Sequence, residues 1–178
     1  MSKKFNFQEF KSTLLPKIID KKPCKNQFLR FENSVNIDQA LLVIWDNMSW
    51  VLENDILQFI NGELLSRPIG NSLDLRECTI PESLHLPKYI GGYLNLSGCI
   101  LPKSLRLPEY IGQYLDLSGC TIPESLRLPK YIGGSLYLNK CILPESLRLP
   151  EYIGLDIDLS ECTIPESLQL PESRKVYT

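Results

Sequence analysis

Five cysteines, Cys78, Cys99, Cys120, Cys141 and Cys162, recur every 21 residues, and the text between them repeats almost word for word. One unit runs from Leu115 to Gly133, and its neighbours begin at Leu73, Leu94, Leu136 and Ile157. A unit this short cannot bury its own leucines. It must stack on its neighbours, so that the leucines of successive coils line one interior. The array spans about residues 71–172. Half a coil precedes it, because Leu65, Ile69 and Gly70 match Leu86, Ile90 and Gly91.

Each unit holds two Leu-x-Leu segments, of the kinds Leu115-Asp116-Leu117 and Leu126-Arg127-Leu128. Apolar and polar residues alternate in both, which is strand patterning, and Gly, Pro or Ser bounds each one. Two prolines per unit, such as Pro123 and Pro129, exclude a helix within the coil. The expectation is therefore two parallel strands per coil, with neighbouring coils ~4.8 Å apart and five coils making a rod on the order of 25 Å long. The Ile-Gly step at Gly91, Gly112, Gly133 and Gly154 suits a sharp turn with positive φ.

The segment Leu115-x-Leu117-x-x-Cys120-x-Ile122 resembles the core of leucine-rich repeats. The short unit and its Leu-Pro steps resemble the compact variant found in secreted bacterial effectors and in phage proteins. Glycine stands where that pattern carries a leucine three residues before the first strand, and the second Leu-x-Leu is stronger than usual. A flatter two-faced β-solenoid is thus open beside a curved horseshoe. The resemblance implies a binding scaffold and an inward-facing cysteine at the turn after the strand.

In a stack every position becomes a column. The cysteine column reads as buried free thiols, since Cys is a small hydrophobe and no oxidising compartment is indicated. Cys24 lies outside the repeat and is expected to be reduced as well. Tyr89, Tyr110, Tyr131 and Tyr152 form either a structural stack at a corner or an aromatic strip for a partner. Lys88, Glu109, Lys130 and Glu151 alternate in sign, which fixes register between neighbours.

Two outward columns are the partner-binding candidates. One is His85, Arg106, Arg127, Arg148 and Gln169, and the other is Asp74, Asn95, Asp116, Tyr137 and Asp158. Both are either solvated faces or a basic strip and an acidic strip that meet complementary surfaces. The arginines are the first choice, because guanidinium suits carboxylate and phosphate. Tyr137 is a candidate anchor where it interrupts the acidic column.

Residues 1–66 lack the repeat. Phe5, Phe7, Phe10, Leu14 and Leu15 predict a short amphipathic helix that stops near Pro16. Ile37, Leu41, Ile44, Met48 and Val51 predict another with Asp38 as its N-cap, and Ile56, Leu57, Phe59 and Ile60 a third that ends near Gly62. This region either caps the first coil or docks a partner. After Pro171 the chain reads Glu-Ser-Arg-Lys-Val-Tyr-Thr, too little to cover the last coil well, so a homodimer through that edge is expected. The fold class is α+β: a helical N-terminal region over 1–66, then a parallel, leucine-rich-repeat-like β-solenoid of five coils over 67–178.

Net charge is −2 and 22% of residues are charged, so total charge directs the chain to neither nucleic acid nor an anionic membrane. No stretch reaches the roughly 18 apolar residues of a membrane span, and the first residues are not a standard secretory signal. The expected location is the cytoplasm, or a host cell reached by a signal-independent route. The single histidine, His85, sits in a column of arginines, and no phosphate loop, nucleophile elbow or metal motif appears. The expectation is a non-enzyme with no cofactor and no metal, binding a protein by occluding its surface. The alternative is a nucleic-acid role, with arginines on phosphates or the acidic column as a DNA mimic.

Overall fold

The computed structural model describes residues 6–21, 25–35, 37–48, 51, 70, 72–171 and 174–178. Three helices come first: α1 (Phe7–Asp20), α2 (Lys25–Glu32) and α3 (Ile37–Asp46). The Asn6 side chain caps α1 by accepting from the amides of Gln8 and Glu9. Contrary to expectation, α1 does not stop at Pro16. It continues one turn further, because Leu14 and Ile18 share one face and are both buried. Asp38 lies inside α3 rather than at its cap; the carboxamide of Gln39 instead accepts from the amide of Val35. Leu41, Ile44, Met48 and Val51 are buried at the anticipated spacing. The helix expected over Ile56–Ile60, and the residues Cys24, Leu65 and Ile69, lie outside the described residues. No described helix is long and apolar enough to cross a membrane.

The rest is a parallel β-solenoid. β1 (Leu73–Asp74), β3 (Leu94–Asn95), β5 (Leu115–Asp116), β7 (Leu136–Tyr137) and β9 (Ile157–Asp158) pair in order, each residue opposite its equivalent 21 positions on. A second sheet is formed by β2 (Tyr89–Ile90), β4 (Tyr110–Ile111), β6 (Tyr131–Ile132) and β8 (Tyr152–Ile153). Isolated parallel bridges join Thr79 to Ile100, Thr121 to Ile142, and Ile142 to Thr163, on a third side of the coil.

The second strand is therefore not the second Leu-x-Leu. It lies at the Tyr-Ile step, and the tyrosine column sits on a sheet rather than at a corner. The chain enters the Leu-x-Leu by a turn, with the Leu126 amide bonded to the Pro123 carbonyl, and leaves it at Pro129, which has no amide. A ladder there would lack a donor in every coil. Serine hydroxyls bridge the gap instead. Ser125 Oγ donates to the Lys103 carbonyl at 2.6 Å, Ser146 to Glu124 at 2.9 Å and Ser167 to Glu145 at 3.0 Å.

The interior is made of Leu, Ile and Cys columns, and the buried helix residues join the same hydrophobic cluster. The glycines at 91, 112, 133 and 154 are not in the positive-φ region. A Cβ at Gly112, Gly133 or Gly154 would sit 1.9–2.1 Å from the carbonyl oxygen of the preceding coil's glycine. Gly70 stands in the same relation to Gly91, at 2.6 Å, which is the trace of the half-coil read from the sequence. Positive φ falls elsewhere, on the residue before each cysteine: Glu77, Gly98, Gly119, Lys140 and Glu161.

The far end departs from expectation. Val176–Tyr177 forms β10 and pairs in parallel with β9, Val176 opposite Ile157. Arg174 lies over the Tyr152 ring, 5.6 Å from its centroid, and donates to the Gly154 carbonyl at 3.1 Å. The last coil is covered on its first sheet by a strand and on its second by a guanidinium, more cover than the sequence reading allowed, and β10 becomes the edge of the sheet.

Candidate partner-binding faces

The cysteine column is structural in its geometry. Cys78, Cys99, Cys120, Cys141 and Cys162 are free thiols. From Cys99 to Cys162, each Sγ donates to the carbonyl of the second strand leucine one coil back, Leu75, Leu96, Leu117 and Leu138, at 2.8–3.1 Å. The carbonyls of Leu75, Leu96, Leu117 and Leu138 also accept the amide of their own coil's cysteine, so each serves two donors. Burial pushes the thiols of Cys99 and Cys141 up to about 12, and those of Cys120 and Cys162 up as well. Such thiols are poor nucleophiles and poor metal ligands.

The tyrosine column is a face-to-face stack. Ring centroids of Tyr89, Tyr110, Tyr131 and Tyr152 lie 4.5–4.6 Å apart and within 9° of parallel. Burial of the phenol, reinforced by its two tyrosine neighbours, raises the Tyr110 pKa. Beside the stack, Glu109 sits between Lys88 at 3.7 Å and Lys130 at 3.8 Å, which is the register pairing read from the alternating signs. These pairs are exposed and each contributes little stability.

The side chains of the acidic column also bond to their own coil. Asp116 and Asp158 Oδ1 each accept the amide two residues on, at 2.9 Å, and Asn95 does the same at 3.0 Å. These are Asx turns that carry the chain out of the first strand. Asp74 holds Arg76 through both carboxylate oxygens. Tyr137 leaves the column sideways, its ring meeting Tyr114 edge-on at 5.9 Å, close to where Tyr93 and Tyr114 stack face to face. The sequence reading of this face as a charged strip did not foresee the turns that Asn95, Asp116 and Asp158 make.

The basic column lies on the side of the coil with no backbone ladder. His85, Arg106, Arg127, Arg148 and Gln169 are all exposed. Arg127 Nη1 folds back onto the carbonyls of Glu124 and Leu126 at 3.0 and 3.2 Å, and Arg148 onto those of Glu145 and Leu147 at 3.2 and 2.8 Å. His85 Nδ1 lies 2.9 Å from the Ser83 carbonyl. Anchoring Arg127 and Arg148 to their own coils lets these neighbouring arginines stack despite their like charge. Among the described residues, none of the three arginines meets a carboxylate; the ion pairs of the solenoid include Arg76–Asp74, Lys88–Glu109, Lys130–Glu109 and Lys140–Glu161.

Next to the arginines runs a column the sequence reading did not single out. Leu107, Leu128 and Leu149, the last residues of the second Leu-x-Leu, are only half-buried. Leu107 and Leu128 floor a hollow of about 510 Å³ across the first three coils, lined also by Arg106, Arg127, Lys88, Glu109 and Lys130, and Leu149 belongs to the next one. A second hollow of about 430 Å³ follows over the last two coils, between Arg148 and Arg174. The signal was present: this leucine precedes a proline in every coil, and a strand that cannot ladder leaves its surface open.

No family model, curated protein or solved structure matches the chain. The functional reading therefore rests on this geometry alone.

Proposed function

We propose that the chain is a non-catalytic protein-binding scaffold whose contact surface is the unladdered side of the solenoid. One observation carries the reading: a row of three exposed guanidiniums without a carboxylate partner among the described residues, beside leucine-floored hollows. Apolar floor with arginine rim is the composition of a protein-binding patch. The scaffold acts by occluding a surface of its partner, in the manner of a short effector- or phage-type repeat protein acting in the cytoplasm or inside a host cell. The nucleic-acid alternative draws less support. Leucine is a poor floor for phosphates, and the acidic column that would mimic DNA is tied into Asx turns.

The test uses immobilised protein in lysate of its native host, with Arg106→Ser/Arg127→Ser/Arg148→Ser alongside. The expected outcome is a protein that re-forms a stoichiometric complex when purified and fails to do so with the triple variant. A partner that binds both forms equally, or capture abolished by nuclease, overturns the reading.

A further inference from the structure

The hollows have a charge and a period, and both constrain what fits. In the first, Lys88, Arg106, Arg127 and Lys130 face Glu82 and Glu109. The two carboxylates are already engaged: Glu109 between its two lysines, and Glu82 accepting from Ser104 Oγ at 2.5 Å. The two guanidiniums remain for an external anion. In the second hollow Arg148 and Arg174 face Glu151. Both hollows thus present unmatched positive charge over an apolar floor.

The period follows from the stack. Coils ~4.8 Å apart put Arg106 and Arg148, and likewise Leu107 and Leu149, two coils or ~9.6 Å apart. A β-strand lying along the axis presents one face every ~6.7 Å, which matches neither one coil nor two. A polyproline II chain, at ~3.1 Å per residue and three residues per turn, presents one face every ~9.3 Å. It keeps step with every second coil and needs no backbone hydrogen bonds from a side that has no ladder to extend.

From this we infer that the occupant is an acidic segment in the polyproline II conformation, with a carboxylate at every third residue and apolar residues between. Its carboxylates meet Arg106 and Arg148, with Arg127 bridging, and its apolar side chains settle on the half-buried leucines. Arginine suits this task because its fork grips a carboxylate while its stem lies along apolar surface. The inference rests on the scaffold reading above and names the chemistry of the partner.

The test is fluorescence anisotropy with labelled 12-residue peptides. (Glu-Pro-Leu)4 should bind saturably at low salt, and the triple arginine-to-serine variant should weaken it at least tenfold. Circular dichroism and thermal unfolding of that variant should stay unchanged, since the three side chains are exposed. Equal binding of (Lys-Pro-Leu)4, or of a peptide with the same residues in Glu, Pro and Leu blocks, overturns the inference. So does tighter binding of a 12-nucleotide polyuridine, which would make the surface a phosphate site. If no peptide binds while a purified partner still requires the three arginines, the occupant is wrong and the scaffold stands. If that partner ignores the arginines too, both fall.

Discussion

Leu115-Asp116-Leu117 and Leu126-Arg127-Leu128 carry the same pattern within one coil, yet only the first lies in a ladder. Both point their leading leucine inward, and Leu115 and Leu126 are equally lost to solvent. The difference lies in the main chain. In the first segment the amides of Leu115 and Leu117 bond to the carbonyls of Ser135 and Tyr137 in the next coil. The second segment ends at Pro129 and has no such rungs. Side-chain alternation therefore decides which way a residue faces, and the supply of amides decides whether it is bonded to its neighbour. On the laddered sides the coil spacing is held by backbone contact; on the unladdered side it is held by a serine hydroxyl. The side without backbone rungs is the one that carries the hollows.

If backbone contact holds the spacing, crowding it should cost most. Gly133→Ala places a methyl 2.1 Å from the Gly112 carbonyl oxygen, a neighbour that cannot swing aside. The expected loss is about 3 kcal/mol or more by urea unfolding, at the upper end for overpacking. Gly119→Ala is the control. That site has φ +70° but no non-neighbouring atom nearer than 4.0 Å, so it should cost only about 1 kcal/mol. Equal losses would mean that conformation, rather than close approach, selects these glycines.

The thiols join the laddered sides at a turn, and their chemistry gives a second handle. The thiols of Cys99 and Cys141 are raised from 9.0 to about 12 by burial. Between these values the unfolded chain has lost the proton that the folded chain keeps. Stability is therefore intact below pH 9 and falls as pH climbs toward 12, by up to about 1.4 kcal/mol per pH unit for each buried thiol. Cys141→Ala should lower stability at pH 7 by about 1–2 kcal/mol, through a small cavity and the loss of one donor to Leu117. It should also flatten the alkaline decline. An unchanged slope would show that the column is wetter than its geometry.

On the unladdered side the same experiment should barely register. Ser125→Ala removes one exposed hydrogen bond to Lys103, worth about 0.5–1 kcal/mol. A loss near that of Gly133→Ala would break the comparison, since the serine stitch would then hold the stack as firmly as the ladder does.

The array, its five coils, its parallel register and its inward cysteines were legible because repetition states them directly, residue opposite equivalent residue. The second sheet was not. Tyr131-Ile132 is only a two-residue strand, while the Leu-x-Leu beside it advertises alternation more strongly, and only the missing proline amide separates them. The glycine column was noticed for the wrong reason. The clue was internal variation: Gly112, Gly133 and Gly154 never change, whereas the next position holds Gln113, Gly134 and Leu155. Turn conformation tolerates such exchange, and a carbonyl 2 Å away does not. The serine column carried the same clue at Ser104, Ser125 and Ser146, behind a position that varies between Lys103, Glu124 and Glu145. The arginines were found from composition. Their half-exposed leucine floor was not, because a Leu-x-Leu read as a strand buries both leucines.

The smallest effect concerns the corner between the first sheet and the cysteine. The residue before the cysteine has positive φ in all five coils, yet it is glycine only at Gly98 and Gly119. A side chain there costs on the order of 1 kcal/mol in the folded chain, whereas glycine costs about as much again by loosening the unfolded one. Lys140 also lies 3.8 Å from Glu161, an exposed pair worth at most about 0.5 kcal/mol. These terms nearly cancel, so Lys140→Gly should change stability by no more than about 0.5 kcal/mol in urea unfolding. That near-neutrality is expected because the rung at this corner, from the Lys140 amide to the Ser160 carbonyl at 2.9 Å, belongs to the main chain and survives the substitution. A loss of 2 kcal/mol would instead make the Lys140–Glu161 contact part of what holds neighbouring coils in step.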